Sequence, residues 1–136
     1  MRKFVPVIFL VFLCCGCKKT IEKLKENAVI SAMTDGQWKI TFFEKNGSVI
    51  TTEFSGFKFQ YHKNYTVDAI KDGVVEKSGT WNGDPHTMTI TANFTGAIHP
   101  LDLINGSWHI DKNSWTFVEA SQTGGADKKK LRLDKL

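Results

Sequence analysis

The chain is 136 residues long and carries 18 lysine and arginine side chains against 14 aspartate and glutamate, a formal net charge of +4 at pH 7. Its three cysteines all fall within residues 14–17, which excludes a disulfide-stapled domain downstream. Without residues 1–16, 120 residues remain, enough to bury about two thirds of their unfolded surface; loss of Arg2 and Lys3 leaves 16 basic side chains and a net charge of +2, which removes the electrostatic case for a clustered nucleic-acid-binding face.

Arg2 and Lys3 form a positive n-region, and residues 4–13 (FVPVIFLVFL) form an apolar h-region. That is about the length of a signal peptide and shorter than the roughly 20 residues that span a bilayer. The run ends in Leu13-Cys14-Cys15-Gly16-Cys17. A small residue directly before a cysteine, behind such a run, resembles a bacterial lipobox with Cys17 as the lipidated first residue of the mature chain. Two other readings stay open: an ordinary cleavable signal with incidental cysteines, and acylation at Cys15, which leaves bulky Cys14 at the cleavage side. Two or three acyl chains, at about 0.8 kcal/mol per buried methylene, make a stable anchor. The expected division is a signal peptide over 1–16, lipidated cysteine and polar tether over 17–27, and a folded domain over 28–136.

Ile21, Leu24, Ala28 and Ala32 recur at helical spacing, with Thr20 as a starting cap and Gly36 past the end, which predicts a helix over about 21–34. From Gln37 onward the texture is that of strands separated by turns. Trp38 to Phe42 alternates, Asn46-Gly47 is a hairpin signal, and 49–54 is expected to pair back. Residues 57–62 alternate aromatic and polar; 65–70 follows a short turn, and Asp72-Gly73 leads into 74–81. Asn82-Gly83-Asp84-Pro85 breaks the chain before 88–94, the cleanest alternation of all. After a loop holding His99-Pro100, 107–110 and 114–120 read as a hairpin, and 131–133 as a last strand. The gaps are turns without a crossover helix, so the sheet is antiparallel. Eight short strands with one apolar face expose two edges unless they close, and the predicted fold is an all-β, up-and-down, eight-stranded barrel with a short N-terminal helix. A two-sheet sandwich is the alternative.

Gly36-Gln37-Trp38 stands where helix gives way to strand, and Gly79-Thr80-Trp81 and Gly106-Ser107-Trp108 repeat the spacing. Together with the leader, the cysteine, Phe54-Ser55-Gly56-Phe57-Lys58-Phe59 and residues 103–110, this order resembles the small lipocalin-like lipoproteins of Bacteroidota over roughly 30–136. The resemblance implies a lipocalin-like barrel in which Gly36 and Trp38 close one end and a basic residue near the C-terminus lies across the tryptophan. Arg132, the only arginine after Arg2, is the candidate; a solvated position between two inward leucines is the other reading. The resemblance also implies a lipid-anchored place at the outer membrane. Lys18-Lys19-Thr20 lacks the acidic residues that tend to follow the cysteine of surface-exported members, which points to the periplasmic face, with the cell surface as the alternative.

Alternation puts Trp38, Ile40, Phe42, Phe57, Phe59, Tyr61, Met88, Ile90, Ala92, Phe94, Trp108, Ile110 and Phe117 on the apolar face. Eight strands give an interior that side chains fill or that takes one small ligand. Two functions follow: binding of a small apolar or amphipathic ligand by a pocket walled by Phe42, Phe59, Tyr61 and Trp81, or a filled barrel that docks a protein or a glycan. His62, His86, His99 and His109 lack metal-ligand spacing, and neither a nucleophile elbow nor a phosphate-binding loop is present. No catalytic residues, metal or cofactor are expected, and the domain is expected to be a monomer.

Overall fold

The computed structural model describes residues 27–136. The expected signal peptide, Cys17 and most of the expected tether therefore lie outside the described residues, as does the first part of the predicted helix. Helix is seen over 27–34. Nine strands follow: β1 (Trp38–Lys45), β2 (Ser48–Val49), β3 (Phe57–Tyr61), β4 (Thr66–Lys71), β5 (Val74–Asp84), β6 (Thr89–Asn93), β7 (Gly106–Asn113), β8 (Phe117–Gln122) and β9 (Lys129–Lys135). All neighbours pair antiparallel in chain order from β3 to β9, and β9 returns to β1 from Trp38↔Lys135 to Lys45↔Lys129. β2 is only the return arm of a hairpin on the end of β1, so β1 and β3–β9 make a closed, eight-stranded, up-and-down barrel. Closure satisfies the strand edges internally.

Local chemistry explains the turns. Asn46-Gly47 and Asp72-Gly73 both take two consecutive positive φ values, the geometry of a two-residue hairpin whose twist matches its strands. Strand β5 runs on through Asn82 and Gly83 to Asp84, and the break falls at Pro85, which cannot donate to a ladder. Gly36 has φ +79, a conformation that glycine adopts without strain where a helix hands over to a strand.

Two expectations are corrected. Residues 51–54, expected as strand, form a 3₁₀ turn (Thr51–Phe54) that aims buried Phe54 at Phe43, ring centroids 4.7 Å apart. The barrel needs that plug, because β1 meets β3 at a single pair, Trp38↔Phe59. Second, Phe42 is on the outer face at 36% exposure while Phe43 is fully buried. A register shift between Ile40 and Phe42 against β9 resets the alternation, since one extra residue moves every later side chain to the other face. Met88 and Phe117 also leave the apolar set: Met88 sits exposed in a turn at φ +51, and Phe117 lies beneath the outer Arg132 guanidinium, 4.4 Å from ring centroid to Cζ. Phe43→Ala is expected to lower the unfolding free energy by about 3–5 kcal/mol, and Phe42→Ala by less than about 1 kcal/mol. Denaturant titration of both variants checks the bulge, since strict alternation would reverse the order.

Candidate functional site

The antiparallel order collects the ends of β1, β3, β5, β7 and β9 into two sets. One end carries the helix, Trp38, Tyr61, Trp81, the 62–65 and 114–116 turns and Lys135. The other carries both 3₁₀ turns, Thr51–Phe54 and Leu101–Ile104, with the start of β9. The helix end is stoppered by two indoles: Trp38 Nε1–H donates to the Met33 carbonyl at 2.9 Å, and Trp81 Nε1–H to the His62 carbonyl at 3.0 Å. Tyr61 packs edge-on against Trp81 at 5.3 Å. Toward the far end, Trp108 Nε1–H donates to the Ile104 carbonyl at 2.7 Å, while Leu101, Leu103, Ile104 and Phe94 are buried around it. A buried indole needs a partner for its one donor, and each takes a carbonyl that strand pairing leaves over.

Lysines from the two ends of β9 complete the stoppers. Lys135 Nζ lies 5.1 Å from the Trp38 ring centroid and 3.7 Å from Asp35. Lys129 Nζ lies 5.9 Å from the Trp108 centroid and donates to the Leu103 carbonyl at 3.0 Å. Burial lowers the Lys129 pKa, partly countered by Asp127. The cation across Trp38 is thus Lys135, in place of the expected Arg132. Arg132 is one register position from inward Leu131 and Leu133 and faces out. It donates to Glu119 at 2.9 Å and to both oxygens of Asp134 at 2.9 and 3.1 Å. Those bonds, Asp134 first, raise its pKa, and the Arg132 hydrogen bond holds the Asp134 carboxyl below its usual value of 3.8.

Inside the barrel a narrow, partly open space of about 30 Å³ remains, lined by apolar side chains including Ile40, Phe59, Trp108 and Leu131, with Tyr61 contributing the one polar side-chain atom not already bonded within the lining. A water needs roughly 10–15 Å³ of such space and several polar partners, so about two waters fit by size, with the Tyr61 hydroxyl as the polar side chain that meets them. Ligand pockets of drug-sized molecules run to about 300–1,000 Å³. Of the expected pocket residues, Phe59 and Tyr61 line this space; Trp81 is packed into the helix-end stopper, and Phe42 lies outside, beside Arg132 in a shallow depression. The plugs Phe43, Phe54 and Leu101–Ile104 escaped sequence reading. The Phe42-Phe43 pair, two large apolar residues in a row within an alternating strand, was the available signal.

On the outer wall Asp68 accepts from Ser78 at 2.6 Å and lies 2.8 Å from His62 Nε2. Both contacts, Ser78 first, lower its pKa. A catalytic serine donates to the imidazole and the carboxylate orients that imidazole; here Ser78 donates to the carboxylate. Among the described residues no group of three or more His, Cys, Asp or Glu side chains is arranged to hold a metal.

These features define a class: a small up-and-down barrel, closed on itself and stoppered at both ends by hydrogen-bonded tryptophans. A crystal structure of a duf4847 family protein from Bacteroides vulgatus ATCC 8482 is similar to it, with a TM-score of 0.57 and 14% sequence identity over 78% of this chain and 96% of that one. At that identity the likeness speaks for the fold alone. No protein-family model and no curated protein matches the chain.

Burial pushes the Tyr61 phenol well above its ordinary value of 10.0, so the unfolded chain releases this proton first as pH rises. Stability is then complete below pH 10 and falls above it. Asp68 and Asp134 have lowered folded values; their contribution is present above the unfolded value of 3.8 and fades as pH falls through the folded ones. Denaturant midpoints measured against pH should show both arms. Tyr61→Phe is expected to flatten the alkaline arm and Asp134→Asn the acid one, and an unchanged alkaline arm in Tyr61→Phe would contradict the buried phenol.

Proposed function

We propose that the protein is a lipid-anchored lipoprotein of the bacterial envelope, held at the outer membrane through Cys17 and facing the periplasm, and that its barrel is a filled, non-enzymatic module acting through its outer surface on a protein or glycan. The observation that carries the second half is the narrow interior space of about 30 Å³. Affinity for an apolar ligand comes from burying its surface, and a void of that size buries two or three heavy atoms at most. Support for the first half lies in the charged start, the apolar run and Gly16-Cys17, together with the order of Gly-x-Trp motifs that resembles lipocalin-like lipoproteins of Bacteroidota and the barrel shared with a Bacteroides protein. A second reading, a small apolar ligand, draws on the apolar lining around Phe59 and Tyr61 and requires the Leu101–Ile104 turn to move. That turn is tied by Lys129 to the Leu103 carbonyl, and His99 before it is 2.6 Å from Glu53 on the neighbouring turn.

Cys17→Ser is expected to shift the protein from the membrane fraction to the soluble periplasm, whereas Cys15→Ser leaves it membrane-bound; the reverse would move the acylation site to Cys15. Native mass spectrometry of the released Cys17→Ser protein should then give the mass of the chain alone, before and after incubation with palmitate. An extra mass removable by organic solvent would restore the ligand reading.

A further inference from the structure

Four tryptophans are present, and three are no more than 2% exposed, whereas Trp115 is 58% exposed. Trp115 sits in the turn between β7 and β8, at the helix end of the barrel. Tyr65, Met88 and Leu136 are exposed at the same end: Tyr65 in the β3–β4 turn, Met88 just before β6, and Leu136 after β9, its amide donating to the Gln37 carbonyl. From the geometry we infer that this end of the barrel rests on a phospholipid bilayer surface, with Trp115 and Tyr65 at headgroup depth. The inference deepens the lipid-anchor reading above and rests on it.

Three observations favour a bilayer as the occupant. The chain arrives at this end: helix 27–34 leads directly into Gln37 and Trp38, and Val29 packs near Gly83. Cys17 is ten residues upstream of residue 27, a span of at most about 35 Å at full extension. The anchor is therefore attached to the barrel at this end. The side chains are also of the right kind, since Trp and Tyr concentrate at membrane interfaces, where an apolar ring and a polar tip are both served. The opposite rim exposes Val49, Val74, Val75 and Ile98, aliphatic side chains without that polar tip.

The third observation is conformational. Among the described residues, four other than glycine have positive φ. At the far end they are Asn46 and Asp72, which tolerate that region and favour turns. At the helix end they are Tyr65 at +66° and Met88 at +51°, where a bulky side chain is strained. Asn or Gly would serve these turns with less strain; the Tyr65 ring packs on Trp81, centroids 6.0 Å apart, yet stays 46% exposed, and Met88 is 37% exposed, so both strained positions still present apolar surface outward. Charges on this rim are mixed, with exposed Lys63 and Lys112 beside Asp84 and Asp111, so contact is driven by apolar burial and is insensitive to salt.

The test uses the full-length acylated protein reconstituted into phosphatidylethanolamine and phosphatidylglycerol vesicles, with and without bromine on the lipid acyl chains. Bromolipid is expected to quench a component of the tryptophan emission, at low and high ionic strength alike, and that component should be lost in Trp115→Phe, a surface change that leaves the three stoppers intact. Iodide added to the water should quench Trp115 in detergent but lose that quenching in vesicles. An acylated protein that floats with the vesicles while Trp115 stays open to iodide and unquenched by bromolipid overturns the inference and leaves the anchor standing. Protection from iodide without bromolipid quenching overturns it too and gives this face to a second copy of the chain. A chain that carries no acyl groups by mass and does not float overturns the anchor reading, and this one with it.

Discussion

Three indole N–H groups hold this barrel shut, and the rest of its architecture is arranged to receive them. Trp38, Trp81 and Trp108 each follow a glycine by two residues, each is buried, and each donates to a main-chain carbonyl just outside the regular ladder. An indole left without a partner in the interior would carry a desolvation cost of about 1–3 kcal/mol, so the helix before β1, the turn after β3 and the 3₁₀ turn before β7 must sit where their carbonyls meet these donors. The repeated spacing also has a steric side. At Gly79 a Cβ would collide with the Asn93 carbonyl and the Phe94 ring, so strand β5 approaches β6 closely only because that position is bare. β9 then serves both stoppers at once, since its first and last residues, Lys129 and Lys135, each lay an ammonium over an indole.

Filling the middle follows from the same set of rings. A barrel of eight strands holds either side chains or one small ligand, and stoppers as large as tryptophan leave the centre to Phe59, Tyr61 and aliphatics. Ala92 and Ala120 face this crowd, and small residues opposite large ones let the layers interlock. What is left is about 30 Å³. A calyx needs the opposite pattern, with small residues along one end and a mouth free of plugs; here Phe54, Leu101, Leu103 and Ile104 occupy the mouth. Function is thereby pushed outward, to walls and rims where side chains are free to meet a partner.

The sequence made the frame legible wherever one residue type answers to one geometry. Asn-Gly and Asp-Gly located two hairpins, and alternation located most strands. It failed where the answer depended on pairing. The slip between Ile40 and Phe42 is a property of β1 against β9, invisible in β1 alone, and it exchanged Phe42 for Phe43. The basic residue across Trp38 was sought as an arginine, while register decided the matter: Lys135 is paired directly with Trp38, and Arg132 falls opposite Phe42, on the outside. There, between inward Leu131 and Leu133, Arg132 meets the Phe117 ring and the carboxylates of Glu119 and Asp134, in keeping with the outward-facing alternative. Residues 51–54 read as strand because Asn46-Gly47 turns the chain back toward β1, but only Ser48 and Val49 pair before the chain coils to bury Phe54.

That turn also shows where the barrel is least tied. Around the rest of the circumference each strand meets its neighbour at four or more register pairs, yet β1 and β3 share only Trp38↔Phe59. Further along the seam the main chain of Phe43 is satisfied by substitutes: its amide donates to the Thr51 hydroxyl at 3.0 Å and its carbonyl accepts from the Ile50 amide at 2.8 Å. A side-chain hydroxyl and a short turn do the work of a strand, and local opening follows the lowest density of such ties. Phe54 is the counterweight, since lifting the turn drags a fully buried ring off Phe43 into water. The closed barrel is therefore one sheet with a latch, where packing of two phenyl rings stands in for a missing ladder.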